Sequence, residues 1–429
     1  MKNMLAALFC LLSVLALGGW SSAQELASSG GTNVTGVVSA STKNDVWIAV
    51  RTDGKAGSGS RSDSFDGATA AKFDALMNGF GANTNIHLAP STFKTNGAAA
   101  YRIKAGCKIY GAGMGRTTVQ LVDFNDHNHK HEVFAASGDC DDIEIHDLTV
   151  DGNYSILSKM AGWTVGDAVC GIAIFGNNTL IENVESIHMY GDNTKGLEEF
   201  SILVGGSSAG DMKSNCKIIK CITREYAITP KAGGYTFGPG MAYCNGGEIL
   251  NCTDDGAYHG IGGGIGKNTL IQGNTTTTNT YVGWYSDTAT LEDVTIANNR
   301  FAAGLIPLQW NNSNTGTNIK IINNTFVTAN NSNPGNTAAI YLDQGGLTNV
   351  LIAGNHVEYT GKGNYQFIAN GGHNTSLTIK DNSGTATKGG HVVLSYVMAD
   401  IVKPGNSVGA NKFEDHTQAG RHSQPAVHD

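Results

Sequence analysis

Through the middle of the chain, apolar and polar residues alternate in short runs of about five positions, the period-2 mark of a half-buried strand. One such run recurs as IEIHDLTV (143–150), LIENVES (180–186), KIIKCIT (217–223), EILNCTD (248–254), LIQGNTT (270–276), VTIANNRF (294–301), IKIINNTF (319–326), VLIAGNHV (350–357) and LTIKDNSG (377–384). Aligned, they share a column of Leu148, Val184, Cys221, Cys252, Asn274, Asn299, Asn324, Asn355 and Asn382, at intervals of 36, 37, 31, 22, 25, 25, 31 and 27 residues. Unequal intervals exclude a helical repeat of fixed length and suit stacked coils whose strands are constant while their loops vary.

Between the copies lie further strand candidates: GIAIF (171–175), FSILV (200–204), GWYSD (283–287), IPLQW (306–310), AAIYLD (338–343) and VVLSYV (392–397). Stacking nine coils at ~4.8 Å makes a cylinder on the order of 40 Å long. Asn repeated at one turn then has a use, because it tolerates left-handed backbone angles and its amide bonds to the copies above and below. That ladder explains sequons such as Asn274-Thr275-Thr276 better than glycosylation does.

With this column, the strand NIHLAPSTF (85–93) and the segment CKIYGAGMGRTTVQL (107–121), the chain resembles the secreted right-handed parallel β-helix proteins of the pectin-lyase-like superfamily over roughly residues 83 to 410. The resemblance implies an all-β solenoid, a right-handed parallel β-helix. It also implies that the strand preceding each copy forms the sheet flanking a ligand groove, with the Asn turn on the opposite side. An open end of such a cylinder needs a cover, and DGATAAKFDALMNGF (66–80) reads as an N-terminal capping helix, with Phe73, Leu76, Met77 and Phe80 on one face and Asp66 as its start. The expected organisation is a signal peptide over 1–23, an N-terminal segment with the cap over 24–82, the β-helix over 83–410 and a polar, disordered tail over 411–429.

The signal-peptide reading rests on Lys2, the apolar run Leu5 to Leu17 and the small residues Ser21 and Ala23. It makes the chain secreted or periplasmic and not membrane-bound. Fifty-seven glycines and 15% charged residues fit turns and short strands, and a net charge of −8 without a basic run argues against nucleic acid. Seven cysteines follow the signal, an odd number with no CxxC pattern, to be read as buried small side chains or as disulfides.

Candidate chemistry concentrates in NCTDDGAYHGIGGGIG (251–266). A phosphate cradle fails on spacing, since the Walker glycine position is Ile261 and Asn268 stands after Gly266-Lys267. The run TDDG followed by YHGIG is similar to motifs of the polygalacturonases, β-helical hydrolases, and the likeness implies catalytic roles for Asp254, Asp255 and His259. That family spreads its acids over neighbouring coils and adds an Arg-Ile-Lys motif, whereas the one RIK here is far upstream, at 102–104. Register places Asp254 in the inward column of Phe301, Phe326 and Val357, leaving Asp255 outward. Alternatively the short coil breaks register and both aspartates bond turn amides.

Outward groove positions supply Tyr285, Asp287, Gln309, Tyr341 and Asp343 as substrate contacts, with Tyr258 beside His259 and with Trp284 and Trp310 turned to the core. Loops entering the groove sheet supply His188, Tyr190, Asp192, Glu198, Glu199, Arg224, Glu225 and Tyr226. Aromatic rings interleaved with polar groups suit sugars, so the expected partner is a polysaccharide or oligosaccharide. Hydrolysis needs two carboxylates. β-Elimination on a uronate needs a base, here Arg224, and Ca²⁺ as a cofactor held by Asp254, Asp255, Asp287 and Glu198. Residues 168 to 300 hold eight Lys or Arg against thirteen Asp or Glu. The surplus favours hydrolysis of a neutral or weakly charged polysaccharide with no cofactor or metal, while a non-catalytic glycan-binding or adhesin-type β-helix remains the other class.

Overall fold

The computed structural model describes residues 45–413 except 124–128, 139, 165–166, 192–198, 227–235, 264–265, 280–281, 287–289, 305, 311–314, 330–337, 343–345, 371–373, 388, 396–400 and 403. The chain is a right-handed parallel β-helix. Each coil passes through three walls, as in the strands Glu248–Leu250, Thr253–Asp255 and His259–Gly262 before the next coil starts at Leu270–Gln272. Pairing is parallel from coil to coil, with Glu248 opposite Leu270, Thr253 opposite Thr275 and His259 opposite Val282. The first and second walls belong to one sheet of twenty-four strands, and the third is a sheet of ten running from Lys130–Ala136 to Gly390–Val393.

The turn between first and second walls carries the Asn column. Asn274, Asn299, Asn324 and Asn355 each donate an Nδ2–H to Oδ1 of the Asn one coil on, at 2.9, 2.9, 3.0 and 3.0 Å, and Asn382 donates to Asn411. The backbone N–H of each donor residue bonds to the same acceptor oxygen. All five donors are buried, so the ladder satisfies turn groups that water cannot reach. The left-handed residue is not the ladder Asn itself but the one before it: Asn251, Gly273, Asn298, Asn323, Gly354 and Asp381 have φ between 54° and 69°. Inside the cylinder, Ile249, Ile271, Ile296, Ile321, Ile352 and Ile379 stack in one fully buried column, each contributing about 1.5–3 kcal/mol from burial.

Both ends differ from the expected boundaries. Parallel pairing starts with Asp45–Ala49, which pairs with Asn85–Leu88, so the first coil precedes residue 83. The cap is the helix Ala70–Gly79, whose N-cap is Thr69 and not Asp66; Thr69 Oγ1 accepts from Lys72 N at 3.3 Å. Asp66 closes a short strand, where it accepts from Ala68 N and Lys72 Nζ. Phe73, Met77 and Phe80 are buried and Leu76 is half-buried, as the helical spacing requires. At the other end, Asn411 and the strand Lys412–Phe413 complete the last coil instead of opening the tail. The signal segment and residues 414–429 lie outside the described residues.

Candidate functional site

Asp254 and Asp255 sit on a three-residue strand of the second wall, where successive side chains point to opposite faces. Asp254 lies between Thr223 and Thr276 in the inward column and is fully buried. Its Oδ1 accepts from Thr223 Oγ1 at 2.6 Å and from the Tyr226 hydroxyl at 2.7 Å, and that hydroxyl in turn accepts from Ser201 Oγ at 3.1 Å. Gly238 makes the space: a Cβ there would stand 2.6 Å from Asp254 Oδ1. Asp255 faces out, is exposed, and accepts from Thr277 Oγ1. The expected Asp254–Asp255 catalytic pair is therefore divided by the wall itself and cannot flank one glycosidic bond.

Glu199 belongs to the same buried polar group. It is fully buried, and burial, with the Asp254 charge nearby, pushes its carboxyl well above the usual carboxylate range. A fully enclosed carboxyl does not meet substrate, which corrects the expectation that Glu199 is a binding residue. Burial likewise raises the Tyr226 hydroxyl well above its usual range.

On the outer face of the second wall, three coils bring charged side chains together. Arg224, the register partner of Asp255, donates from Nε and Nη2 to Glu185 Oε1 at 2.9 and 2.7 Å, and its Nη1 pairs with Glu225. Glu185 is further held by Thr149 Oγ1 at 2.8 Å. His188 places Nδ1 2.8 Å from Asp151 Oδ1 and Nε2 3.0 Å from Glu225 Oε2. Asp151 is anchored by Gln120 Nε2 at 2.7 Å and Asn153 N at 2.8 Å. An imidazole between two carboxylate oxygens satisfies both only by donating from both nitrogens. His188 and Glu225 take left-handed backbone angles, φ 56° and 58°, which turn the chain outward at the strand ends. The inner member, Asp151, is 9% exposed, whereas His188, Glu225 and Arg224 are 44%, 46% and 38% exposed.

Of these residues, His188, Arg224 and Glu225 were expected from the loop segments, but Asp151 and Glu185 were not. Asp151 was within reach, since one outward column reads Asp151, Ile187, Arg224, Asp255. Arg224, expected as the base of an elimination, is engaged with the carboxylates of Glu185 and Glu225. Of the four Ca²⁺ ligands considered, Asp254 and Asp255 face opposite sides, while Asp287 and Glu198 lie outside the described residues. Among the described residues no group of three or more His, Cys, Asp or Glu side chains is placed to hold a metal ion.

The third wall contributes a run of rings. Phe200 stacks on Phe237 at 4.4 Å, Phe237 packs on His259 at 4.5 Å, and His259 stacks on Tyr285 at 4.5 Å. Tyr258 meets His259 edge-on at 4.8 Å. Phe200, Phe237 and Tyr285 form an apolar cluster separate from the cylinder interior, which contains Trp284. His259 is 4% exposed, and burial lowers its pKa to about 3, leaving a neutral ring. Tyr285, Gln309 and Tyr341 follow one another in a single column. Tyr285 and Gln309 are nearly buried and Tyr341 half-buried, so only Tyr341 presents substantial surface. Asp343 lies outside the described residues.

No protein-family model matches the sequence, and no curated protein matches it. Among solved structures, the fold is similar to the A-module of the mannuronan C-5 epimerase AlgE6 of Azotobacter vinelandii, at 14% identity over 82% of this chain and 95% of that one, with a TM-score of 0.47. It is also similar to DFA-IIIase from Arthrobacter chlorophenolicus A6, at 12% identity over 86% and 95% with a TM-score of 0.48. The Streptococcus pneumoniae surface adhesin PfbA matches at 15% identity over 79% and 89%, with a TM-score of 0.43. At these identities the likeness concerns the fold alone.

Proposed function

We propose that the chain is an exported, carbohydrate-active β-helix that hydrolyses a neutral or weakly charged polysaccharide, with Glu225 and Asp255 as its two carboxylates. The observation that carries this reading is the register of Arg224 with Asp255. It sets exposed acids on the outer faces of successive coils, Glu225 directly after Arg224 and Asp255 one coil on. Coils are ~4.8 Å apart, and the two side chains lean away from each other, Glu225 toward His188 on the coil before and Asp255 toward Thr277 on the coil after. That arrangement favours the ~6.5–9.5 Å separation of an inverting pair, which leaves room for a water, over the ~5 Å of a retaining one.

Roles follow from the neighbours. Glu225 lies between a guanidinium and an imidazole, which favour its ionised form, and so suits the base that activates water. Asp255, the second carboxylate one coil on, is left with the role of proton donor to the leaving oxygen. His188, oriented by Asp151, holds Glu225 in place, and Tyr341 offers a ring for a sugar face.

Purified protein incubated with a panel of plant and bacterial polysaccharides tests the reading, with reducing ends, unsaturated uronates and retention on immobilised glycan all followed. New reducing ends without unsaturation are expected. Unsaturated products would replace hydrolysis by β-elimination, and retention without any product would make the protein a glycan-binding or adhesin-type β-helix.

A further inference from the structure

The column that carries the Asn ladder changes chemistry part-way along the cylinder. From Asn274 onward an amide occupies the slot, and Asn274 Oδ1 accepts from Cys252 N at 2.8 Å, so Cys252 is the last residue the ladder reaches. One coil earlier the same slot holds Cys221. The two are aligned by pairing on both sides, Ile219 opposite Leu250 and Ile222 opposite Thr253, and Thr253 N donates to Cys221 O at 2.9 Å.

Both thiols are buried and adopt the same pose. Cys221 Sγ lies 3.4 Å from Ile219 O and 3.5 Å from Ile181 O, and Cys252 Sγ lies 3.5 Å from Leu250 O and 3.5 Å from Ile218 O. Each therefore leans over the coil before it, so Cys252 Sγ points toward the Cys221 level while both remain free thiols in this structure, and a bond between them requires Cys221 Sγ to turn back toward Cys252. Aligned residues on neighbouring parallel strands are ~4.8 Å apart, inside the ~4.4–6.8 Å Cα separation that a disulfide requires. Burial and the adjacent Cys252 both push the Cys221 thiol up, in accord with two thiols in one apolar slot.

We propose that Cys221 and Cys252 are joined by a disulfide when the chain folds in an oxidising compartment, a covalent rung continuing the amide ladder. The oxidant is a disulfide-bearing thiol oxidoreductase. One cysteine thiolate attacks the oxidant's disulfide, forming a mixed disulfide and releasing one oxidant thiolate, and the second cysteine thiolate then displaces the other. Two protons and two electrons leave the cysteines, and the oxidant's disulfide becomes a dithiol. Exchange takes place before the coils close, since afterwards neither sulfur is reachable.

The test is disulfide mapping of the full chain recovered from the periplasm of an expression host, using that host's own export signal. The protein is denatured without reductant, alkylated and digested. The expected result is one peptide pair linking residues 221 and 252 in most chains, and a Tm about 4 °C lower for the Cys221→Ala/Cys252→Ala protein. Recovery of both cysteines as alkylated thiols, or of either one linked to a different cysteine, would overturn the proposal. The mapping is done on the unsubstituted chain, so it stands even where the double variant folds poorly, and its outcome does not depend on which reaction the protein catalyses.

Discussion

Asp254 and Asp255 are consecutive in sequence yet lie on opposite sides of the same wall, one sealed with Thr223 and Tyr226 inside the cylinder and the other beside Thr277 in solvent. A strand's period of two makes this unavoidable. Paired chemistry at the surface must then be assembled across coils, which is the relation Asp255 has to Arg224 and Glu225.

The two aspartates should separate cleanly on substitution. Asp255→Asn and Glu225→Gln are expected to lower kcat by about 10²–10⁴-fold while leaving Tm near that of the unsubstituted protein. Asp254→Asn can keep an amide oxygen toward the two hydroxyls that bond Oδ1, but it puts an NH2 donor where the second buried carboxylate oxygen lies, and should cost about 1–3 kcal/mol of stability. Thermal denaturation beside rate measurements on a cleaved polysaccharide checks both. Equal stability loss in the Asp254 and Asp255 variants would remove the distinction.

In the proposed hydrolysis Asp151 would act only through His188, which it contacts at 2.8 Å, as a positioning residue. Asp151→Asn keeps a polar group beside Nδ1 but removes the charge, and should reduce kcat roughly 10-fold or more with KM little changed. The diagnostic readout is the split between kcat and KM together with the conservative variant, because Asp151→Glu restores a carboxylate beside Nδ1 and should recover part of the lost kcat. A purely structural role would lower the amount of active enzyme without changing kcat per active molecule.

Most of the cylinder could be read from the column of Asn274, Asn299, Asn324, Asn355 and Asn382, because a buried amide ladder forces one residue type into one slot. The inward direction of Asp254 and Trp284 followed from the same register. The site was harder to read because its partners are defined by stacking across unequal loops. Asp151 and Glu185 are 73 and 39 residues before Arg224 in sequence, and only the paired strands bring them to it. Burial of Glu199, His259 and Tyr285 was also hidden, since alternation assigns a side chain to a face but not the cover over that face.

His259 and Glu199 should give the protein opposing pH limbs. His259 is neutral in the folded state down to about pH 3, whereas an unfolded His takes up its proton below about 6.5. Between these values the unfolded chain binds more protons, so stability falls as pH falls, by on the order of 5 kcal/mol across the window. Denaturant titrations of a His259→Phe protein, which keeps a ring between Phe237 and Tyr285, should show a flattened acid limb. Glu199 works in the other direction: its raised folded pKa means that the folded state keeps a proton the unfolded state has lost, so its contribution is full below the usual Glu range and declines as pH rises above it. Glu199→Gln should therefore flatten the alkaline limb and leave the acid one.

The ladder itself yields the sharpest stability prediction. Asn324 donates to Ile296 O and Asn355 Oδ1 and accepts from Asn299 through both its backbone N–H and its Nδ2–H. Asn324→Leu has nearly the same size but takes the partner from Asn299 N–H, from one Asn299 Nδ2–H and from Ile296 O in a buried turn, while Asn355 Oδ1 keeps the Asn324 backbone N–H. At about 1–3 kcal/mol for each uncompensated group, and with some relief from local rearrangement, a loss of about 3–5 kcal/mol is expected. Asn318 offers the control, because it bonds Asp293 at an exposed turn of the same coil. Asn318→Gly, which suits the left-handed backbone at this position (φ 61°), should cost less than about 1 kcal/mol. Equilibrium unfolding in guanidinium reads both, and equal losses for the two variants would show that the buried column carries no special share of the stability of the cylinder.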